Sequence, residues 1–169
     1  MGYAMLLDLR EIIGVPGGKV QFDYEPDLTD AAIGSVISVK RPSRAAGNVV
    51  NSAGVMTFSA NVDAVCTCIC ARCLVEFEHP VHQQITAYLT EGEAGGEDPE
   101  VYFLQGDKVD VDEIIVTEFL LETDQRLLCR EDCAGLCDKC GANLNDGQCS
   151  CKTEIDPRLA VLGQLLDIE

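Results

Sequence analysis

Six of the ten cysteines fall within residues 129–152, and four of those are spaced as Cys137-x2-Cys140 and Cys149-x-Cys151. A Cys-x2-Cys corner lets two thiolates reach one ion from a tight turn whose N–H groups also bond the sulfurs. Between the two pairs lies Asn143-Leu144-Asn145-Asp146-Gly147, whose Asp-Gly dipeptide can reverse the chain and bring Cys149 and Cys151 over the corner. The expectation is a self-contained four-thiolate zinc site of Cys137, Cys140, Cys149 and Cys151, small enough to form alone around its metal.

A second corner, Cys70-x2-Cys73, has no cysteine in the strand that follows it. Cys66, Cys68 and Cys70 alternate along a strand, so successive members stand about 6.8 Å apart on one face. That is long for ligands of one zinc and ordinary for small buried side chains. Cys70 and Cys73 are therefore paired with Cys129 and Cys133 as a second site that pins the cysteine-rich segment to the body. A single site with the other thiols free stays open. Four protein ligands leave no position for a catalytic water, so both zincs read as structural. Two such sites would each carry about −2, since four thiolates outweigh one Zn2+.

Cys-x2-Cys is also the dithiol redox motif, which opens a helix in a thioredoxin-like βαβ pattern. Cys70-Ala71-Arg72-Cys73 lies between two strands instead. The alternative is a redox or redox-sensing protein using Cys70 and Cys73, with Cys66 and Cys68 as resolving partners. His79 and His82, the two histidines, read as strand residues, and no hydrolytic constellation is available. No enzyme is expected.

At 169 residues and 47% hydrophobic, the chain can build a core without disulfides. No apolar run approaches a membrane span and no leader is evident at the start, which suggests a soluble cytoplasmic protein. A reducing cytoplasm favours metal-bound or catalytic thiols over bridges. The formal charge is −17, and residues 91–124 hold twelve acids against Lys108 alone. Such a field repels RNA and attracts basic proteins.

The expected class is α+β: an antiparallel β-rich curled sheet or partly open barrel with a capped helix, a small zinc module and a C-terminal helix. Residues 5–13 read as a strand or a short helix, and 19–24 as a strand. Residues 33–90 read as several strands, broken at Arg41–Asn48 and interrupted at Pro80. An acidic loop follows over 91–100, then an edge strand at 101–104. Asp110 caps a helix over about 110–123, with Glu113 completing a capping box and Val109 and Ile114 a hydrophobic staple. The divisions are a body over 1–128, a zinc module over 129–155, and a helix over 156–169 that starts at Asp156-Pro157 and packs on the body.

In "CARCLVEF" (70–77), "LCREDCAGLCDKCGANLN" (128–145) and "CSCKTEIDPRLAVLGQLL" (149–166), the chain resembles the YceD family, the large ribosomal RNA subunit accumulation proteins. The resemblance implies a noncatalytic role in ribosome biogenesis, in the accumulation or processing of large-subunit ribosomal RNA. Its implied partner is a ribosomal protein or a large-subunit assembly intermediate. It also supports the pairing of Cys70 and Cys73 with Cys129 and Cys133. Cys66 and Cys68 depart from the family pattern, as does Glu122-Thr123-Asp124-Gln125, where an apolar, proline-containing link is common. If RNA is touched directly, Lys40, Arg41, Arg44 and Arg72 are the candidates. They read equally well as turn charges, with Arg72 hydrogen-bonding a carboxylate near the metal site. Nothing in the sequence fixes the oligomeric state.

Overall fold

The computed structural model describes residues 5–92 and 101–151. The expected C-terminal helix and nearly all of the acidic loop lie outside these residues.

The body is a five-stranded sheet in the order β2-β3-β4-β5-β6: β2 Lys19–Tyr24, β3 Val36–Ser52, β4 Val55–Ile69, β5 Glu76–Thr90 and β6 Val101–Phe103. All pairings are antiparallel except β5 with β6, and the sheet is open, not closed. The long strands follow from alternation: every even-numbered residue of β4 from Met56 to Cys68 is buried, as period-2 geometry requires of a strand with one face on a core. Phe22 stacks on Phe58 at 5.2 Å in the middle of that face.

The structure corrects two expected breaks. Arg41–Asn48 does not end a strand. β3 runs through it, and the irregularity is a register shift between Lys40 and Arg44 that contains the cis Arg41–Pro42 peptide. Residues there lose their ladder partners locally while pairing resumes at Arg44, which is what a bulge does. Nor does Pro80 interrupt β5, which passes through it in register with Val65. β6 reaches only Tyr88–Thr90, so among the described residues β5 is an edge strand at Pro80, where proline is tolerated.

Residues 5–13 form both elements that were open: β1 Leu6–Asp8, then the short α1 Arg10–Ile13. β1 pairs with β7 Lys108–Asp110, which leads directly into α2 Val111–Glu122. The cap is as expected, with Glu113 N–H donating to Asp110 Oδ1 at 3.1 Å. Val111, Ile114, Ile115 and Phe119 of α2 are buried against the sheet. Asp112 adds a polar strap: Oδ2 accepts from Met5 N–H at 2.7 Å, and Oδ1 from the Tyr24 hydroxyl at 2.7 Å.

α1 is held to the β3–β4 hairpin by Asn51, which is 2% exposed. Its Nδ2 donates to Ile12 O and Ile13 O at 2.7 and 2.9 Å, and its Oδ1 accepts from Gly54 N–H at 2.8 Å. Asn51→Ala strands these groups in a buried place, at a cost of about 2–3 kcal/mol. A urea titration should show the midpoint falling with an unchanged slope.

Candidate metal centres

The first corner is built by the end of β4 and the start of β5. Cys70 N–H donates to Val75 O at 3.0 Å and Leu74 N–H to Cys70 O at 3.0 Å, folding residues 70–75 into a closed knuckle. The second corner repeats it: Cys137 N–H donates to Ala142 O at 2.8 Å and Gly141 N–H to Cys137 O at 2.9 Å. The residue after the second cysteine takes a left-handed conformation in both, Leu74 at φ 60° and Gly141 at φ 71°. A leucine pays for that conformation where a glycine does not, and Leu74 is 63% exposed, so its side chain recovers little by burial. Leu74→Gly should therefore stabilise the metal-loaded protein by about 0.5–1 kcal/mol, read as a rise in thermal midpoint.

Cys129 and Cys133 arrive at the first corner along the link after α2, whose path the sequence left in doubt. Ser35 fixes it. Ser35 N–H donates to Gln125 O at 2.9 Å, Leu127 N–H donates to Ser35 Oγ at 3.1 Å, and Ala71 N–H donates to Leu127 O at 2.9 Å. Arg72 Nη1 then donates to Cys133 O at 2.9 Å, a carbonyl and not the carboxylate first considered. The Sγ atoms of Cys70, Cys73, Cys129 and Cys133 end within 4.8 Å of one another, and those of Cys137, Cys140, Cys149 and Cys151 do likewise. No disulfide joins any of the ten cysteines.

A metal–sulfur distance of about 2.3 Å gives a tetrahedron with edges of about 3.8 Å. Cys70 to Cys133 and Cys73 to Cys129 measure 3.7 and 3.6 Å between sulfurs. The two clusters could hold metal ions, and a soft thiolate set of this shape suits zinc or iron.

The electrostatics of the first cluster point the same way. Burial pushes the Cys70 thiol up, but the N–H groups of Cys129, Cys73 and Arg72 aimed at its sulfur prevail and bring it down to about 6. Cys129 is half-buried, and desolvation together with the neighbouring Cys73 and Cys70 sulfurs pushes it up to about 12. Four adjacent thiols cannot all ionise without a cation among them, so protons occupy the place that a divalent ion would take. In the second cluster the N–H groups of Cys140 and Lys139 lower Cys137 to about 7, while the Cys140 sulfur, followed by burial, holds Cys151 up at about 12.

The clusters differ in exposure. In the first, Cys70, Cys73 and Cys133 are buried, Cys129 is half-buried, and they form a small apolar cluster with Phe77, Leu128 and Leu136, whereas in the second only Cys137 is buried, Cys140 is exposed and Cys149 and Cys151 are half-buried. Asn145 joins them. Its Nδ2 lies 3.5 Å from Cys133 Sγ, and its Oδ1 accepts from Ala134 N–H and Arg130 Nη2 at 2.8 and 2.6 Å. The sequence reading used the Asn143–Gly147 stretch only as a turn and missed Asn145 and Ser35, because a polar residue in a turn carries no periodic signal. Cys66 and Cys68 are fully buried in the main core, and burial, reinforced by Cys68, pushes the Cys66 thiol up to about 11.

Of the basic residues singled out, Lys40 pairs with Glu78 at 2.5 Å, Arg44 with Asp23 at 2.6 Å, and Arg41 with Asp27. His82 Nδ1 lies 2.6 Å from Asp63 Oδ1, and His79 packs its ring edge-on to Phe77 at 6.4 Å. Among the described residues no helix is long and apolar enough to cross a membrane.

A family model described as "Large ribosomal RNA subunit accumulation protein YceD" matches residues 58–166, from β4 through both clusters. Among curated proteins, the chain is 32% identical over 108 residues to "Uncharacterized protein Rv2926c" of Mycobacterium tuberculosis (strain H37Rv), covering 59% of this chain and 50% of that protein. The same figures hold for "Uncharacterized protein Mb2951c" of Mycobacterium bovis. The chain thus spans about half the length of the curated relatives it matches. No solved structure matches.

Proposed function

The chain belongs to the YceD family of large ribosomal RNA subunit accumulation proteins, and on that premise we propose that it is a noncatalytic, zinc-stabilised factor in ribosome biogenesis. It supports accumulation or processing of large-subunit ribosomal RNA by holding a basic ribosomal protein, or an assembly intermediate displaying one, against its acidic surface. Cys70, Cys73, Cys129 and Cys133 hold one structural zinc, and Cys137, Cys140, Cys149 and Cys151 hold the other.

The observation that carries the reading is the pair of closed four-cysteine clusters within the span matched by the family model. Four protein ligands per ion leave no open coordination position, which suits a scaffold better than a catalyst. A protein partner is favoured over RNA by the formal charge of −17 and by the carboxylates already paired with Lys40, Arg41 and Arg44. Dithiol chemistry at Cys70 and Cys73 is disfavoured, since the proposed resolving thiols Cys66 and Cys68 are buried in the core and Cys66 is held protonated.

Two measurements test this. Removal of the protein from its source cell should lower the ratio of mature large-subunit to small-subunit ribosomal RNA, and an unchanged ratio contradicts the role. Purified metal-loaded protein should bind isolated large-subunit ribosomal proteins at low ionic strength and release them near 0.5 M salt, where charge attraction is screened to about 4 Å. Salt-indifferent binding contradicts the acidic-surface mechanism.

A further inference from the structure

The inner face of β5 is fully covered at Ile85, Ala87 and Leu89 but only half-covered at Phe77, His79, Val81 and Gln83. β6 stops at Tyr88–Thr90, so among the described residues no strand borders the outer edge of β5 from Glu76 to Ala87. A groove of about 350 Å3 opens there between His79–Gln83 and the C-terminal end of α2, with Glu122, Thr123 and Asp124 on its far wall.

The His79 and His82 imidazoles stand on the β5 wall, and the polar features facing them are acceptors. Glu122 and Asp124 are exposed and make no ion pair among the described residues. α2 ends here with no basic residue in its last turn, so the negative end of its dipole is uncompensated. Gln83 Nε2 donates to Thr123 Oγ1 at 3.1 Å, and Thr123 Oγ1 in turn donates to Phe119 O. That leaves Gln83 Oε1 buried without a hydrogen-bond partner. Carboxylates, a helix C-terminus and an orphan amide oxygen are all acceptors, and together they call for a cationic group with several donors. The bare edge of β5 calls for an extended backbone beside it.

We propose that this groove is the docking point for an arginine side chain, presented by an extended segment of a basic partner protein that runs along the edge of β5. Arginine fits better than lysine because its planar fork offers five N–H donors in fixed directions, enough to serve two carboxylates and an amide oxygen at once. The inference rests on the preceding reading that the partner is a basic protein, and assigns where on the surface that partner is gripped.

The test uses the full, metal-loaded chain labelled with nitrogen-15, titrated with the blocked pentapeptide Thr-Val-Arg-Val-Thr and its twin carrying neutral citrulline. The expected result is amide shifts confined to residues 79, 81–83 and 122–127, with binding at least tenfold weaker for the citrulline peptide. A double variant, Glu122→Gln with Asp124→Asn, should weaken the arginine peptide by at least tenfold, and Gln83→Leu several-fold. Both carboxylates are exposed, so the double variant should keep the fold, as its undisturbed remaining spectrum will report. Shifts scattered over other acidic surfaces, equal binding of the two peptides, or no binding at all each overturn the proposal. The two readings separate on isolated large-subunit ribosomal proteins. If wild type and the double variant bind them equally, the groove is wrong and the partner class survives. If wild type does not bind them, the partner class itself fails.

Discussion

Cys73→Ser is expected to cost one metal ion per chain and to destabilise the whole body by about 4 kcal/mol or more, the scale of a lost structural metal site. Cys137→Ser should also cost one ion while leaving the unfolding midpoint of the body nearly unchanged. The asymmetry follows from placement. Cys73 belongs to a cluster that ties three separate parts of the chain: the end of β4, the start of β5 and the link after α2 that Ser35 and Ala71 hold in place. Opening that cluster releases the link and exposes Leu127, Leu128 and Phe77, which pack on or beside it. The second cluster uses residues 137–151 alone, and three of its four cysteines are exposed or half-buried. Calorimetry of both variants beside wild type, with elemental analysis of each, checks the expectation. At about 2–4 °C per kcal/mol for a chain of this size, the Cys73 variant should melt roughly 8–16 °C lower. Equal losses in both variants would mean that the second cluster also supports the body.

The second large effect lies far from the cysteines. Gly47 sits in the middle of β3 beneath Phe22, and a Cβ added there would lie 2.2 Å from Ser59 O, 2.7 Å from the Phe22 ring and 2.8 Å from Ala60 Cα. Two of those atoms are backbone of the neighbouring strand, so the ladder itself must open to admit a methyl group, and the Phe22–Phe58 stack would shift with it. Gly47→Ala should cost about 3 kcal/mol or more, at the upper end for overpacking a tight core. A denaturant titration reads this directly. A loss below about 1 kcal/mol would mean that β3 and β4 can separate locally without disturbing the sheet.

Much of this architecture was legible because it depends on local chemistry. The two knuckles, the Asp110 cap and the alternation of β4 are short-range patterns, and each appears where its residues stand. What could not be read depends on distant partners. β1 and β7 are three residues each, too short for a period, and they exist because the chain before α1 meets the chain before α2 across some hundred residues. The run at Arg41–Asn48 read as a break because proline and serine punctuate it, yet the core residues Val39 and Val49 on either side and Ala45 within it keep β3 one strand. Lys40, Arg41 and Arg44 read as available positive charge, but Glu78, Asp27 and Asp23 reach them from other strands and loops. Asn145 and Ser35 do their positioning through single hydrogen bonds to residues far away in sequence, and such bonds have no signature at their own position.

The central claim is that this chain is built around two tetrathiolate metal sites. Native mass spectrometry of protein purified without added metal, with elemental analysis, addresses it most directly. The account predicts a mass increment of two zinc ions per chain, with the eight cluster thiols unavailable for disulfide formation until a chelator removes the metal, and Cys66 and Cys68 shielded by the core throughout. A metal-free mass, together with disulfides formed readily at Cys70 and Cys73, would contradict it.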